Sequence, residues 1–340
     1  MGLAELKRDL GFAAGVLRRR PFQVLLQVTN RCNMRCSFCT FPQNAVAPEE
    51  EMTLDDYRRL ERDLAAVGSR FMVSLEGGEP FVRPDLVEIV RLFAARHLPI
   101  LYTNGWYVDA AAARALFEAG LTQVGVSIDY PDPARHDRKR GLAGATERAW
   151  RAIDRFREAA PHGGKQVHVM TVLTEDNWRD LGPLLEQSAA RAVCHCVTLL
   201  STRGVRRGGA GSPDRAPDGP VSETLLALWR RHPHFKIFRE YLELMDPFLG
   251  GGAMPACRAG TQSFNIDHVG NVAPCIEKID RPAGNVRREP LREILGRMAS
   301  LEGVAGCNDC WTACRGMNQI LGAGGGVRGW WDLATRMRSS

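Results

Sequence analysis

Residues 22–39 read FQVLLQVTNRCNMRCSFC, in which an apolar, β-rich run leads directly into three closely spaced cysteines. An apolar run such as Phe22–Val28 is typical of a buried strand. Cys32, Cys36 and Cys39 follow it in a C-x3-C-x2-C pattern. Thiolates this close together on one loop can converge on one soft metal centre. We therefore predict a strand that presents a metal site at its carboxyl end.

The alternation of strand and helix continues from this point to about residue 200. The six strand candidates are Phe22–Val28, Phe71–Leu75, Leu98–Thr103, Gln123–Ile128, Val167–Leu173 and Ala192–Leu200. Thr53 and Asp56 make a capping-box pattern before one helix, and Asp109 begins another that Gly120 can end. Six repeats of strand and helix imply a parallel sheet with helices outside. We predict a partial (β/α)6 barrel, similar to a TIM barrel, with its chemistry at the carboxyl ends of the strands.

Changes in composition divide the chain into four parts. They are an N-terminal amphipathic helix within residues 1–20, a core domain over 21–248, a small α+β domain over 249–322 and a tail over 323–340. The core domain is predicted to end just before Gly250–Gly252, where a flexible linker is expected. Residues 201–221, STRGVRRGGAGSPDRAPDGPV, are rich in Gly, Pro and Arg and lack periodicity. They indicate a loop after the sixth strand, either a solvated connection or a lid over the site.

The N-terminal helix is predicted from apolar residues at steps of three and four, namely Leu3, Leu6, Leu10, Ala13 and Leu17. Amphipathic helices mostly face the core of their own protein, so packing on the core domain is favoured over contact with a membrane surface. No apolar stretch is long enough to span a bilayer. The arginines at 18–20 precede a proline and a strand, whereas a secretory signal would continue with an apolar region. A cytoplasmic location is therefore expected.

Composition narrows the class of protein. The chain has 340 residues, a net charge of +6 and 10 cysteines. The charge is mild and the basic residues are scattered, so no nucleic-acid partner is indicated. Many of the cysteines fall in two tight groups, at 32–39 and at 307–314. A disulfide framework would be spread more evenly, so this clustering indicates metal binding in a reducing compartment.

The first cysteine group has no fourth cysteine nearby. An iron–sulfur cubane on Cys32, Cys36 and Cys39 would therefore leave one iron without a protein ligand. An open coordination position distinguishes a catalytic metal from a structural one. Zinc with a distant fourth ligand, or chance clustering, is the alternative interpretation. Here the sequence resembles the radical S-adenosylmethionine (radical SAM) superfamily, whose signature has this spacing and an aromatic residue before the third cysteine, as Phe38 is.

Further segments extend the resemblance over roughly residues 22–205. Residues 76–80, EGGEP, end the second strand and are similar to the family's GGEP element, which borders the amino group of the cofactor. Glycine pairs also permit close backbone approach to a ligand. The resemblance implies the cofactor contacts Phe38, Gly77, Gly78, Glu79, Pro80, Asn104, Ser127, Arg140 and Asn177. The fork of Arg140 suits a carboxylate. For each polar residue, a turn or capping role is the alternative.

A second set of cysteines lies near the C-terminus, at Cys257, Cys275, Cys307, Cys310 and Cys314. A hairpin with strands at 264–266 and 271–273 would bring the first two together, and the C-x2-C loop would add two more. The stretch resembles the auxiliary-cluster extension called SPASM, or its shorter relative Twitch. Position 316 is Gly where the longer C-x2-C-x5-C element needs a cysteine, so we expect one auxiliary [4Fe-4S] cluster on Cys257, Cys275, Cys307 and Cys310. Cys314 is then an alternate ligand, and a structural zinc site is the alternative.

The resemblance also implies the chemistry. An electron enters the open [4Fe-4S] cluster from a low-potential donor such as flavodoxin or ferredoxin. S-adenosylmethionine (SAM) breaks, and a 5′-deoxyadenosyl radical takes a hydrogen atom from the substrate. An auxiliary cluster suits removal of the remaining electron, so oxidation or cross-linking of a peptide, protein or small biosynthetic intermediate is expected. The few residues before the first strand leave no room for a fused peptide-recognition domain, which disfavours a ribosomal peptide.

Other features carry less information. Cys194 and Cys196 share one face of the sixth strand and are interpreted as packed core, since free cysteine buries readily. No residue can be named as the catalytic acid, base or radical relay. The competing class is a non-catalytic iron–sulfur or zinc protein that binds a partner or transfers electrons.

Overall fold

The computed structural model describes residues 11–201, 203–204, 206, 213–298, 301, 304, 307–322 and 326–337. Leu3, Leu6 and Leu10 of the predicted N-terminal helix lie outside these residues. Most of the glycine-rich half of the 201–221 loop also lies outside them. The helix that begins the described chain, α1, covers residues 11–17.

The described strands form one sheet in the order β6-β5-β4-β3-β2-β1-β7-β8-β9. Their bounds are Gln23–Thr29 (β1), Met72–Gly77 (β2), Leu98–Thr103 (β3), Gln123–Ser127 (β4), Val167–Leu173 (β5), Cys194–Leu199 (β6), Ser263–Ile266 (β7), Asn271–Ala273 (β8) and Gly284–Asn285 (β9). Strands β1 to β6 pair in parallel. The six predicted strands are all present. The sheet stays open between β6 and β1, which confirms the partial barrel.

Helices follow the strands along the chain. Their bounds are Leu54–Val67 (α2), Leu86–Ala94 (α3), Ala110–Glu118 (α4), Pro133–Arg140 (α5), Ala145–Ala159 (α6), Leu181–Ala190 (α7), Ser222–Arg231 (α8), Arg239–Glu243 (α9), Met245–Leu249 (α10), Leu291–Met298 (α11), Ala313–Met317 (α12) and Gly326–Asp332 (α13). The predicted capping box begins α2, where the backbone N–H of Asp56 donates to the Thr53 hydroxyl (3.2 Å). The Asp56 carboxylate accepts the Thr53 N–H in return (3.0 Å). The short side chains of the sequence therefore fix where this helix starts.

The C-terminal region continues the main sheet. Strand β7 pairs in parallel with β1, with Gln23 opposite Ser263 and Leu26 opposite Ile266. Strand β8 returns antiparallel to β7, as the predicted hairpin requires. The second group of cysteines is thereby fixed against the first strand of the barrel. The four-part division of the chain remains a prediction.

Helix α1 packs on the barrel through a different face from the one predicted. Val16 is buried, and the ring of Phe12 lies 5.9 Å from that of Phe22. Leu17, which we assigned to the apolar stripe, is 69% exposed. The prediction for Leu17 is wrong because Phe12 and Val16, one turn apart, carry the contact. None of the described helices is both long enough and apolar enough to cross a bilayer.

A stacked aromatic pair links the segment after Cys310 to the end of β6. The rings of Tyr241 and Trp311 lie 5.7 Å apart at an interplanar angle of 22°. The Trp311 indole N–H donates to the Tyr241 carbonyl (2.9 Å), and the Tyr241 hydroxyl donates to the Trp311 carbonyl (3.1 Å). The N–H of Leu199, at the end of β6, donates to the same hydroxyl (2.9 Å). The segment just after Cys310 is therefore tied to the last strand of the barrel.

Candidate functional site

The inner face of the barrel encloses a cavity of about 350 Å³, which we call the lumen. Inward-facing side chains of β1 to β6 form its wall, including Leu25, Ser74, Tyr102, Met170 and Thr198. The three cysteines of the first group line its upper end, where the parallel strands finish. Cys314, from the second group, lines the same lumen. Both cysteine groups therefore contribute to the lining of one cavity.

The first cysteine loop is held by neighbouring elements of the barrel. The N–H groups of Arg35 and Ser37 donate to the carbonyls of Arg140 (3.1 Å) and Lys139 (3.2 Å), at the end of α5. Helix ends leave carbonyls without partners, so α5 is a natural anchor for this loop. The Asn104 amide, which follows β3, donates to the Cys32 sulfur (3.8 Å). The loop is thus fixed at the carboxyl end of the sheet.

Burial makes the thiols of Cys32 and Cys36 difficult to ionise in the absence of a metal. It raises the pKa of Cys32 to about 12, opposed by the Met34 N–H and reinforced by the charges of Glu79, Cys36 and Cys39. Burial also raises the pKa of Cys36, which the positive charge of Arg140 opposes. Metal ligation requires the thiolate form, and the positive charge of bound iron would supply the missing stabilisation.

The ligand set fits a cluster better than a single ion. Within the part of the chain that the structure describes, no three Cys, His, Asp or Glu side chains are close enough to hold one metal ion. In a cubane each thiolate binds a different iron, so its ligands stand further apart. Three thiols on one loop, facing a lumen, provide this arrangement and leave the fourth position to a ligand in the lumen.

The EGGEP turn after β2 supports the cysteine loop from behind. A Cβ atom added to Gly77 with ideal geometry would lie 2.2 Å from the Thr29 carbonyl oxygen. One added to Gly78 would lie 2.2 Å from the Arg31 carbonyl oxygen. Only glycine allows the two backbones to approach this closely. Glu79 is fully buried and accepts hydrogen bonds from the Thr103 hydroxyl (2.7 Å) and the Asn104 N–H (2.7 Å). Burial raises its pKa to about 7, and these donors oppose the shift.

The lumen contains most of the cofactor contacts that the resemblance implies. Its lining includes Phe38, Gly77, Gly78, Asn104, Ser127 and Arg140. Glu79, Pro80 and Asn177 are not among the residues that line it. The Asn177 amide group donates to the carbonyls of Asp129 (3.0 Å) and Val172 (2.8 Å), and its oxygen accepts the Thr174 N–H (2.8 Å). These contacts favour the turn role that the sequence left open for Asn177.

Arg140 has a carboxylate partner within the chain. Its Nη2 lies 2.6 Å from Oδ2 of Asp129, and both side chains are buried. Although burial acts to lower it, the pKa of Arg140 is raised by the charges of Asp129 and Cys36. Its Nε is buried without a hydrogen-bond partner among the described residues. Asp129 therefore pairs with one side of the Arg140 guanidinium, the group that the resemblance assigns to the cofactor's carboxylate. Nε of Arg140 remains for a ligand.

All five cysteines of the second group line a smaller cavity of about 40 Å³ beside the lumen. Burial raises the pKa of Cys275, and the nearby Cys310, Glu277 and Cys257 add to the effect. Cys314 lines both cavities, and its sulfur lies 3.0 Å from the Thr312 hydroxyl. The structure thus brings the predicted auxiliary ligands together, and the choice between Cys310 and Cys314 remains a prediction.

The sequence analysis missed a polar layer in the lumen wall. Tyr102, Gly125 and His168 lie side by side on β3, β4 and β5. An ideal Cβ at Gly125 would lie 2.7 Å from the Tyr102 ring, so the ring covers the space that glycine leaves. The alternation in β4 was the signal, because Gln123, Gly125 and Ser127 stand at every second position and therefore share one face.

Cys196 belongs to this layer as well. Its thiol donates to the Lys236 carbonyl (3.0 Å), and Nδ1 of His168 lies 3.2 Å from its sulfur. Burial lowers the pKa of His168 to about 4, and the charge of Lys236 adds to the shift. Nε2 of His168 is buried without a partner among the described residues. Our interpretation of Cys196 as packed core is wrong, because its side chain faces the lumen.

Family models match two regions of this chain. Residues 26–187 match the model of the Radical SAM superfamily, and residues 257–311 match SPASM, an iron-sulfur cluster-binding domain. An AdoMet-dependent heme synthase of Methanosarcina barkeri is 28% identical over 295 residues, which cover 81% of this chain and 82% of that protein.

Solved structures share the fold at low sequence identity. Streptococcus suis SuiB bound to the precursor peptide SuiA is 15% identical, with a TM-score of 0.63 over 90% of this chain and 75% of SuiB. The native anSMEcpe with bound AdoMet is 18% identical, with a TM-score of 0.63 over 82% of each chain. At these identities the likeness shows the arrangement of the chain and says nothing of what it binds.

Proposed function

Since this chain is a radical SAM superfamily enzyme with a C-terminal SPASM domain, we propose that it oxidises or cross-links a substrate held in the lumen between its two cysteine sites. Its cofactors are SAM, the [4Fe-4S] cluster that binds SAM and an auxiliary iron–sulfur cluster. When bound, they supply a 5′-deoxyadenosyl radical and an acceptor for the substrate's electron. The observation that carries the proposal is that Cys32, Cys36, Cys39 and Cys314 all line the same cavity.

We assign the ligands as the sequence predicts. Cys32, Cys36 and Cys39 hold the SAM-binding cluster, and Cys257, Cys275, Cys307 and Cys310 hold the auxiliary cluster, with Cys314 as the alternate. Phe38, Gly77, Gly78, Asn104, Ser127 and Arg140 contact SAM. The assignment is supported by the convergence of the first set and the SAM contacts on the lumen, and of the auxiliary set on the smaller cavity beside it. An external low-potential donor such as flavodoxin or ferredoxin supplies the electron.

The polar layer is where the substrate binds. Gly125 lies two residues before Ser127 on β4, so the layer is about 7 Å below the proposed cofactor contact. A substrate placed there is within reach of the cofactor above it and of Cys314 at the side. Burial around the layer excludes water from the reaction.

His168 is the proposed proton acceptor in this layer. Removal of a hydrogen atom leaves a substrate radical, and transfer of its electron to the auxiliary cluster would leave a cation. The cation becomes neutral when a neighbouring C–H, N–H or O–H bond breaks and a double bond forms, so that proton is strongly acidic. A base with a pKa of about 4 is strong enough to accept it. The same low pKa keeps the imidazole unprotonated at neutral pH, so Nε2 is available throughout.

Among the candidate substrate classes, a small biosynthetic intermediate has the best support. The heme synthase is 28% identical over 81% of this chain, which favours an iron tetrapyrrole. A peptide or protein is the second candidate. The non-catalytic alternative is set aside, because the chain belongs to an enzyme superfamily.

Anaerobic turnover tests the proposal. The protein is reconstituted with iron and sulfide, then mixed with dithionite and SAM, with or without Fe-coproporphyrin III. We expect 5′-deoxyadenosine from the wild type and none from Cys36→Ala, with faster formation and a mass loss of the tetrapyrrole when it is present. Equal formation by both proteins would refute the cluster assignment. Lack of any effect of the tetrapyrrole would refute that substrate class and leave the peptide class.

A further inference from the structure

A short segment after β6 joins the two cysteine loops. Its described residues are Arg203, Gly204 and Arg206, which we call the clasp. The Arg206 carbonyl accepts hydrogen bonds from both the N–H and the hydroxyl of Thr40 (3.0 Å each). Nη2 of Arg206 lies 3.0 Å from Oε1 of Glu277. Thr40 directly follows Cys39, and Glu277 lies two residues after Cys275, so one residue contacts both loops.

The rest of the clasp fits against the auxiliary side. An ideal Cβ at Gly204 would lie 1.7 Å from Oε2 of Glu277 and 2.7 Å from its Cβ, so only glycine fits there. Nη1 of Arg203 lies 3.8 Å from Oδ1 of Asp309, which sits between Cys307 and Cys310. Arg203 is 72% exposed, whereas the Arg206 side chain is only 13% exposed. The two arginines therefore differ in how strongly solvent screens their charge.

The charge of Arg206 lies between the two sites. Burial alone would lower the pKa of Arg206, and the negative charges of Glu277, Glu76, Cys314 and Cys39 outweigh it and raise that pKa. Its neighbours thus include a cysteine from each group. Arg206 also lines the lumen, as do Cys39 and Cys314. An arginine in this position keeps its charge at any accessible pH.

We propose that Arg206 is a positioning residue that couples the two cluster sites electrostatically and favours the reduced state of both. Reduction by one electron makes a cluster one unit more negative, so a fixed, poorly screened cation nearby stabilises the product. Glu277 has the opposite charge and the opposite effect. The inference rests on the proposed ligand sets, and its readout is independent of substrate and of SAM cleavage.

Potentiometric titration followed by EPR tests the coupling. The reconstituted wild type is compared with Arg206→Gln, Glu277→Gln and Arg203→Gln, with iron per chain measured for each, and dithionite supplies the electron. We expect Arg206→Gln to lower the equilibrium constant for reduction of each cluster roughly tenfold. For a one-electron couple this shifts the midpoint potential by about 59 mV in the negative direction. Glu277→Gln should shift both midpoints in the positive direction. Arg203→Gln, the exposed control, should leave the SAM-binding cluster unchanged.

The proposal requires that Arg206→Gln and Glu277→Gln shift the midpoint potentials in opposite directions. Unchanged midpoints of either cluster in Arg206→Gln would overturn it, and so would shifts of the same sign in Arg206→Gln and Glu277→Gln, because these indicate a general disturbance. If Arg206→Gln loses iron, Arg206→Lys decides the matter. Retention of iron and of both midpoints by Arg206→Lys supports a role of charge, whereas loss of either refutes it. Failure to form 5′-deoxyadenosine would count against the proposed function and leave these shifts unaffected.

Discussion

Gly78 makes the closest approach to the first cysteine loop, so its replacement tests how that loop is supported. An ideal Cβ at Gly78 would lie 2.2 Å from the Arg31 carbonyl oxygen, whereas Cβ atoms essentially never come within 3.0 Å of such neighbours. In Gly78→Ala the backbone must therefore move by roughly 0.8 Å, the difference between these two distances. The Glu79 N–H donates to the same carbonyl (2.9 Å), and this hydrogen bond cannot survive the displacement unchanged.

The energy follows from these contacts. Loss of the hydrogen bond costs about 1 kcal/mol, and overpacking costs about 1–3 kcal/mol. We therefore expect Gly78→Ala to lower the free energy of unfolding by about 2–4 kcal/mol. Cys32 directly follows Arg31, so the variant should also bind less iron at the first site.

Urea unfolding and iron per chain after anaerobic reconstitution measure both effects. Gly296→Ala is the matched control, because no heavy atom lies within 4 Å of its ideal Cβ and the residue sits in α11. Replacing a helical glycine with alanine should stabilise this control by up to about 1 kcal/mol. If Gly78→Ala equals the wild type in both stability and iron content, the proposed support of the loop is wrong.

Three further outcomes follow from the site. Asp129→Asn leaves the buried guanidinium of Arg140 without its charged partner. The free energy of unfolding, measured by urea unfolding, should therefore fall by about 3–5 kcal/mol. A decrease below about 1 kcal/mol would contradict this expectation. Burial lowers the pKa of His136 from 6.5 to about 4. Between pH 4 and pH 6.5 the unfolded chain therefore binds more protons than the folded chain. The free energy of unfolding should fall as the pH drops from 6.5 toward 4, and His136→Gln should weaken this dependence. An equal slope of unfolding free energy against pH in the wild type and the variant would contradict the expectation. Cys310→Ala should lose about four irons and Cys314→Ala none, and the reverse result would exchange their roles.

Much of the barrel could be predicted from the sequence because its strands are strongly marked. Buried parallel strands read as continuous apolar runs, and all six runs became strands within one or two residues of their predicted bounds. The hairpin at 264–273 was also correct. The first three cysteines converge because they lie on a single loop, where local spacing fixes proximity. The second group is brought together by tertiary packing, since α11 lies between Cys275 and Cys307.

The interior of the lumen could not be predicted in the same way. Tyr102 and His168 are far apart in sequence and meet only because β3, β4 and β5 pair in one particular register. The pairing of Arg140 with Asp129 likewise depends on how α5 packs above β4. Leu17 looked like part of an apolar stripe, and the curvature of the barrel instead selected Phe12 and Val16 for contact. These features arise from tertiary packing, which local periodicity does not contain.

The account depends on a cluster held by three thiolates with one iron left open to SAM. EPR of a variant that lacks the auxiliary cluster, Cys257→Ala with Cys275→Ala, tests this most directly. After reconstitution to about four irons per chain and reduction with dithionite, the spectrum is recorded before and after SAM is added. We predict a changed spectrum, because SAM binds the open iron. An unchanged spectrum would mean that a protein side chain already occupies that position, which contradicts the account.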